Sequence, residues 1–221
     1  MKILVVGYPR SGTTLLRRIF QRHPNVSTML HERYILDGRS REDLQQLPFF
    51  NSEHWGEKDI YTQKNCYNIH TKRLLNITIL DYCNLWIKTF GLDQSKIIHI
   101  VRHPFDVLDS LIKKAARRYK RNLTKREKYN IISLYMSVVP NYTKAISDLP
   151  NCMTIKYEKL VLDKDKVTKN LFRFCGLPET NDPERAKIER VLAYKRKKFN
   201  FDVEDTIKIM NDFGKPKYNS Q

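Results

Sequence analysis

The chain has 221 residues, 41% hydrophobic and 29% charged, with only seven glycines; this suits one α/β domain spanning 1–221 with a sizeable core and excludes a fibrous or low-complexity chain. Its 41 Lys and Arg against 24 Asp and Glu leave a formal net charge of +17, which bears on partners rather than fold and favours anionic ligands such as nucleotides, nucleic acid, acidic polymers or acidic lipid. No apolar run reaches the roughly 18 residues of a membrane span, and Cys66, Cys83, Cys152 and Cys175 lack the spacing of a zinc site and read as reduced core residues, with no metal expected.

Ile3 to Val6 is a short, continuously apolar run, as in a strand buried on both faces of a parallel sheet. The strand leads straight into a glycine-bearing loop, so no signal peptide is expected and the implied compartment is the cytoplasm. A helix follows from Thr13 to Arg22 and Pro24 ends it. Residues 27 to 65 read as loops and short helices, with Phe49, Phe50 and Trp55 lining or covering a site and a short strand at Asp59 to Gln63. Helical spacing runs from Thr71 to Phe90, with Gly91 as its cap. Ile97 to Val101 is a second buried strand, followed by a helix from Phe105 to Tyr119 and a long one from Lys125 to Ser147 that holds Pro140. Met153 to Tyr157 is a third strand, and helices are expected over Asp165–Cys175, Asp182–Ala193 and Asp202–Phe213. Strands alternating with helices imply a parallel sheet with helices on both faces, and ligands in such sheets bind at the carboxyl ends of the strands.

Two motifs occupy such ends. The first is Gly7-Tyr8-Pro9-Arg10-Ser11-Gly12-Thr13-Thr14. Backbone N–H groups at a helix start, with the helix dipole behind them, make an anion site. The pattern is almost the triphosphate loop G-x-x-x-x-G-K-[ST]. Thr13 stands where that loop has Lys, and the positive charge is moved to Arg10, so the machinery for a triphosphate with magnesium is incomplete. The second motif places Arg102 after a buried strand and Ser110 two helical turns later, where a bidentate Arg and a hydroxyl can take a second phosphate.

The segment Val6 to Leu16 resembles the 5′-phosphosulfate-binding loop of sulfotransferases that use 3′-phosphoadenosine 5′-phosphosulfate (PAPS), and Arg10 makes it more similar to the tyrosylprotein and bacterial-type enzymes. His23-Pro24-Asn25-Val26, Ile100 to Val107 with Ser110, and Tyr157-Glu158-Lys159-Leu160-Val161 also look like segments of that family. The resemblance implies a P-loop-like α/β three-layer sandwich, with Tyr8, Pro9, Arg10, Ser11, Gly12, Thr13 and Thr14 around the 5′-phosphosulfate and Arg102 and Ser110 on the 3′-phosphate. It implies transfer of a sulfuryl group from PAPS to a hydroxyl-bearing acceptor (glycan, peptide tyrosine or small molecule), with no metal.

Such a transfer needs a base for the acceptor proton and a cation near the leaving oxygen. Similarity to the family puts the base at Glu32 or, without a one-residue shift, at His31; either can do the chemistry. His70 is a further candidate. Lys64 resembles the family's lysine near the bridging oxygen, with Lys58 as rival. The cluster Lys195 to Lys198 lies where the resemblance places a C-terminal segment near the cofactor, to close over the 3′-phosphate, to meet an acidic acceptor, or as a plain surface run. The charge points to an acidic acceptor. A kinase or nucleotide hydrolase is the first alternative, and a basic module without chemistry the second, although no RNA-binding signature is present and no specific nucleic acid is expected.

Overall fold

A computed structural model describes residues 1–31, 36, 41–60, 67–68, 73–74, 77–180, 201–204 and 206–207. Five parallel strands form the central sheet: β1 (Lys2–Gly7), β2 (Met29–His31), β3 (Trp55–Ile60), β6 (Ser95–Val101) and β7 (Cys152–Lys156), in the order β2-β3-β1-β6-β7. The short β4 (Tyr67–Asn68) and β5 (Arg73–Leu74) form a separate antiparallel pair. Helices α1 (Thr13–Gln21), α2 (Arg41–Gln45), α3 (Ile79–Phe90), α4 (Pro104–Tyr119), α5 (Lys125–Ser147), α6 (Tyr157–Leu162) and α7 (Lys164–Phe174) complete the described elements.

The alternation of β1 decides the layering. Ile3 and Val5 face one way and pack with Leu16 and Phe20 of α1 and Leu171 and Phe172 of α7. Leu4 and Val6 face the other way, onto Trp86 of α3, Val107 of α4 and Tyr135 of α5. The expected three-layer α/β sandwich is therefore found: a parallel sheet between two helical layers. Every residue from Ile3 to Val6 is fully buried, the reason that run is apolar without alternation.

Several boundaries differ from the sequence reading. The strand expected at Asp59 to Gln63 is β3, four residues earlier, and it carries Glu57, Lys58 and Asp59 fully buried. The helix expected from Thr71 begins at Ile79, because Thr78 caps it reciprocally with Asp81. Phe49, Phe50 and Trp55 do not line a site. They close the core at the amino end of β1, where Trp55 meets Phe49 at 5.2 Å and Trp86 at 5.6 Å between ring centroids. Lys2 pairs in register with Trp55 there, and its ammonium donates to the Ser52 carbonyl at 2.8 Å. Burial of large aromatic area outweighs any pull toward a ligand site at the opposite end of the sheet. α5 carries Pro140 in its interior as one continuous element. Cys83, Cys152 and Cys175 are free thiols; Cys66, the helix expected at 182–193 and the cluster 195–198 lie outside the described residues.

Candidate functional site

β1 and β6 are neighbours in the sheet, with Gly7 level with Ile100. The helix after β1 goes to one face of the sheet and the helix after β6 to the other. This is a switch point, where a crevice opens beyond the carboxyl ends of the strands. The two motifs sit on its two sides.

The loop after β1 turns tightly, with Ser11 N–H donating to the Tyr8 carbonyl at 3.0 Å. Two residues carry positive φ: Arg10 at 74° and Gly12 at 108°. For Arg10 this left-handed backbone costs about 1–2 kcal/mol. Gly12 must lack a side chain for a second reason: a Cβ there would lie 2.5 Å from Cδ2 of Tyr157. As N-cap of α1 it offers no side-chain acceptor, and the first turn holds no acidic residue. The first N–H groups of α1 are thus left without a side-chain partner at the crevice. Ser11 and Thr13 are buried, Pro9 is half-buried, and Thr14 is exposed.

The second motif reaches across to the first. Arg10 Nε donates to Ser110 Oγ at 2.8 Å, joining residues a hundred positions apart. Arg102 Nη1 donates to the Arg10 carbonyl at 3.1 Å. The Arg102 guanidinium lies over the Tyr157 ring at 4.4 Å, a cation–π contact, and 3.7 Å from the Asp106 carboxylate. Its Nε is buried without a hydrogen-bond partner. A buried, unsatisfied donor on a cation is costly, and an anion is the partner that would relieve it. His103 N–H donates to Glu158 at 2.8 Å, which ties the start of α4 to the start of α6. Tyr157 and Glu158 thus join the site through packing; their place after β7 was the sequence signal for them.

Burial pushes the Tyr8 phenol up to about 12, so it is a neutral wall that stacks edge-on with Tyr135 at 5.1 Å. The phenol of Tyr82 is raised well above its usual range, first by burial and then by the carboxylates of Glu57 and Asp59. It donates to Glu57 at 3.0 Å and accepts from Leu36 N–H at 3.3 Å. His99, also buried on this face, is pushed down to about 4.

The residues expected for proton transfer are brought together less fully. The backbone of His31 ends β2, level with Lys58 of β3, which is level with Val5 of β1. Lys58 is inside the sheet and fully buried. Glu32, Lys64 and His70 lie outside the described residues. Among the described residues no group of His, Cys, Asp and Glu could hold a metal, and no helix is long and apolar enough to cross a membrane.

With this geometry in place, comparison with known proteins is informative. The family model for the sulfotransferase domain matches residues 1–217. A search of curated proteins finds no match. Among solved structures, a mouse sulfotransferase complexed with PAP is 22% identical over 86% of this chain and 63% of that one, with a TM-score of 0.55. The sulfotransferase domain of a Synechococcus olefin synthase is 16% identical over 98% of this chain and 95% of that one, with a TM-score of 0.56. A sulfotransferase from Alicyclobacillus acidocaldarius is 13% identical over 95% and 94%, with a TM-score of 0.56. At these identities the likeness is one of fold. The chain spans 63% of the mouse enzyme's length.

Proposed function

The chain belongs to the sulfotransferase family, and on that premise we propose that it moves a sulfuryl group from PAPS to a hydroxyl of an acidic acceptor. The observation that carries the reading is the meeting of Arg10, Ser110 and Arg102 beside a helix start that no side chain caps. Two anion sites in one crevice suit a nucleotide with phosphates at both its 3′ and 5′ positions.

In this reading Arg10, Ser11, Gly12, Thr13 and Thr14 hold the 5′-phosphosulfate, with Tyr8 and Pro9 shaping the loop. Arg102 and Ser110 hold the 3′-phosphate. The bonds that Arg10 now makes to Ser110, and Arg102 to a carbonyl, are neutral-acceptor bonds. A phosphate oxygen competes well for the same donors, because it adds opposite-charge attraction and bidentate geometry that a neutral acceptor lacks. In the transfer, the acceptor oxygen forms a bond to sulfur as the bond from sulfur to the 5′-phosphate oxygen breaks. The acceptor proton goes to Glu32 or His31. Lys64, with Lys58 as rival, balances charge on the departing oxygen.

Calorimetric titration with 3′,5′-bisphosphoadenosine, AMP and ATP plus magnesium tests the donor. The bisphosphate should bind much more tightly than AMP. Arg102→Ala should weaken the bisphosphate by about 10–100-fold, as loss of a charged hydrogen bond implies, and leave AMP nearly unchanged. Equal losses for both ligands would remove the 3′-phosphate assignment, and a preference for ATP with magnesium would turn the reading to a kinase.

A further inference from the structure

The positive charge of this chain is concentrated. Positions 113 to 128 hold nine Lys or Arg and one acidic residue, Glu127. Nine minus one is a surplus of eight, close to half of the +17 of the whole chain. The segment is the end of α4, a turn and the start of α5. Glu127 is occupied within it: both oxygens accept from Arg121, at 2.9 and 2.6 Å, and one also accepts from Thr124 N–H at 2.8 Å. Asp109 holds Lys113 at 2.6 Å. Lys114, Arg117, Arg118, Lys120 and Arg126 face solvent. Like charges this dense repel one another, and the positive end of the α5 dipole adds to the field. Local folding gains nothing from them.

A cavity of about 320 Å³ opens beside this turn, lined by Lys125, Lys128, Tyr129 and Ile132 of α5 and by Phe201 and Asp202. That volume is at the lower end of small-molecule pockets, roughly 300–1,000 Å³, and suits one ring-sized unit of a longer molecule. Packed aromatic side chains link the cavity to the phosphate motifs. Phe201 packs edge-on against Phe105 at 6.0 Å between centroids, and Phe105 directly follows Arg102-His103-Pro104. Ile132 stands three residues before Tyr135, whose ring meets that of Tyr8, and Tyr8 leads into Pro9-Arg10.

We propose that this cavity and the basic turn are a subsite for an acidic polysaccharide, which supplies the acceptor hydroxyl. Lys125 and Lys128 pair with its carboxylate or sulfate groups, and Tyr129 and Phe201 meet the apolar face of one sugar ring. The exposed cations of the turn hold anions further along the polymer. A sugar ring fits the mixture of groups: an apolar face for the aromatic side chains, hydroxyls for the Asp202 carboxylate, and an anion for the ammonium groups. An acidic peptide would match the turn equally but would bring its carboxylates against Asp202. The proposal rests on the sulfuryl-transfer reading for its chemistry, though not for the binding itself.

The test uses the full chain and a fluorescent oligosaccharide of alternating glucuronate and N-acetylglucosamine, with a neutral maltooligosaccharide of equal length beside it. The acidic probe should bind at least about tenfold more tightly, and its affinity should fall steeply with salt. The double variant Lys125→Gln/Lys128→Gln should lose about tenfold or more. A control pair on the opposite helical layer, Lys166→Gln/Lys169→Gln, should lose less than about threefold. All variants should keep bisphosphoadenosine affinity within about twofold, which shows that they are folded. Unchanged glycan affinity in the α5 double variant would overturn the subsite. So would tighter binding of an oligo-dT strand or a glutamate-rich peptide that the same variant abolishes, since either would be the true occupant. If the glycan binds through these lysines while bisphosphoadenosine does not bind, the donor reading fails and the subsite stands. If bisphosphoadenosine binds and the glycan does not, the subsite alone fails.

Discussion

Helices α1 and α5 begin in opposite ways. α5 starts at Thr124, whose hydroxyl accepts from Glu127 N–H at 3.3 Å while Glu127 accepts from Thr124 N–H at 2.8 Å. The chain answers its own orphan donors there. α3 does the same with Thr78 and Asp81. α1 starts at Gly12 with no side-chain cap and no acid in its first turn. α4, which also follows a central strand directly, starts at His103 without a side-chain cap and with Pro104 at its first position. Capping serves stability where a helix has only itself to satisfy. At the end of β1 the first-turn donors of α1 have no side-chain cap, where the proposed donor would be held, and the local backbone there is strained at Arg10.

The largest effects should come from the strained side of this contrast. Gly12→Ala meets both a left-handed backbone and Tyr157 at 2.5 Å, so thermal denaturation should register a loss of about 3 kcal/mol. Gly176→Ala is the control: its φ is also positive, at 65°, but the nearest atom to the added methyl is Met1 Cε at an ordinary 3.7 Å, and the loss should be about 1 kcal/mol. Equal losses would mean that the contact with Tyr157 is easily relieved. Arg10→Gly should come next and act in two directions. Bisphosphoadenosine affinity should fall about 10–100-fold, while the melting temperature holds or rises because glycine accepts a φ of 74° freely. A variant that loses stability together with binding would show that the Arg10–Ser110 bond is structural.

How much of this was legible beforehand follows the same line. The loop was readable because its residues are contiguous and each has a local reason: Gly12 for space, Arg10 for charge, a buried strand before and a helix after. β1 and β6 were readable because burial on both faces leaves an apolar run, broken in β6 only by His99, while the edge strand β7 keeps a short alternation around its one buried residue, Ile155. β3 was misplaced because Glu57, Lys58 and Asp59 look like a solvated stretch; the Tyr82 that bonds Glu57 is 25 residues away. The three-residue β2, which ends on His31, is too short to carry a period. The bond that unites the two motifs, from Arg10 to Ser110, could be inferred only from the fold that brings the ends of β1 and β6 together.

Smaller changes sharpen the contrast between the two helix starts. Thr124→Ala removes the α5 cap and should cost about 1 kcal/mol of stability, with bisphosphoadenosine affinity unchanged by calorimetry. Thr14→Val on α1 keeps shape and removes a hydroxyl. It should leave stability alone and weaken the bisphosphate by about tenfold, the lower end of the worth of a hydrogen bond to a charged group. Reversal of the two outcomes would mean that α1 is capped in solution by some other group.

The finest distinction is in acid. Glu127 is held down to about 2, first by the Arg121 hydrogen bonds and then by Thr124 N–H. A carboxylate lowered in the folded state stabilises above its unfolded value, near 4.5, and that contribution is lost as the pH falls toward 2. The α5 cap should therefore loosen across that window. NMR titration should show the Thr124 amide following the Glu127 carboxyl, and Glu127→Gln should abolish the response. High salt should weaken it too, since the pair is exposed and screened. The first-turn amides of α1 have no carboxylate beside them in that turn, so they should stay flat over the same range. If they move with the Glu127 midpoint, the two helix starts are coupled through the basic turn, and the division between a self-satisfied scaffold and a ligand-facing crevice no longer holds.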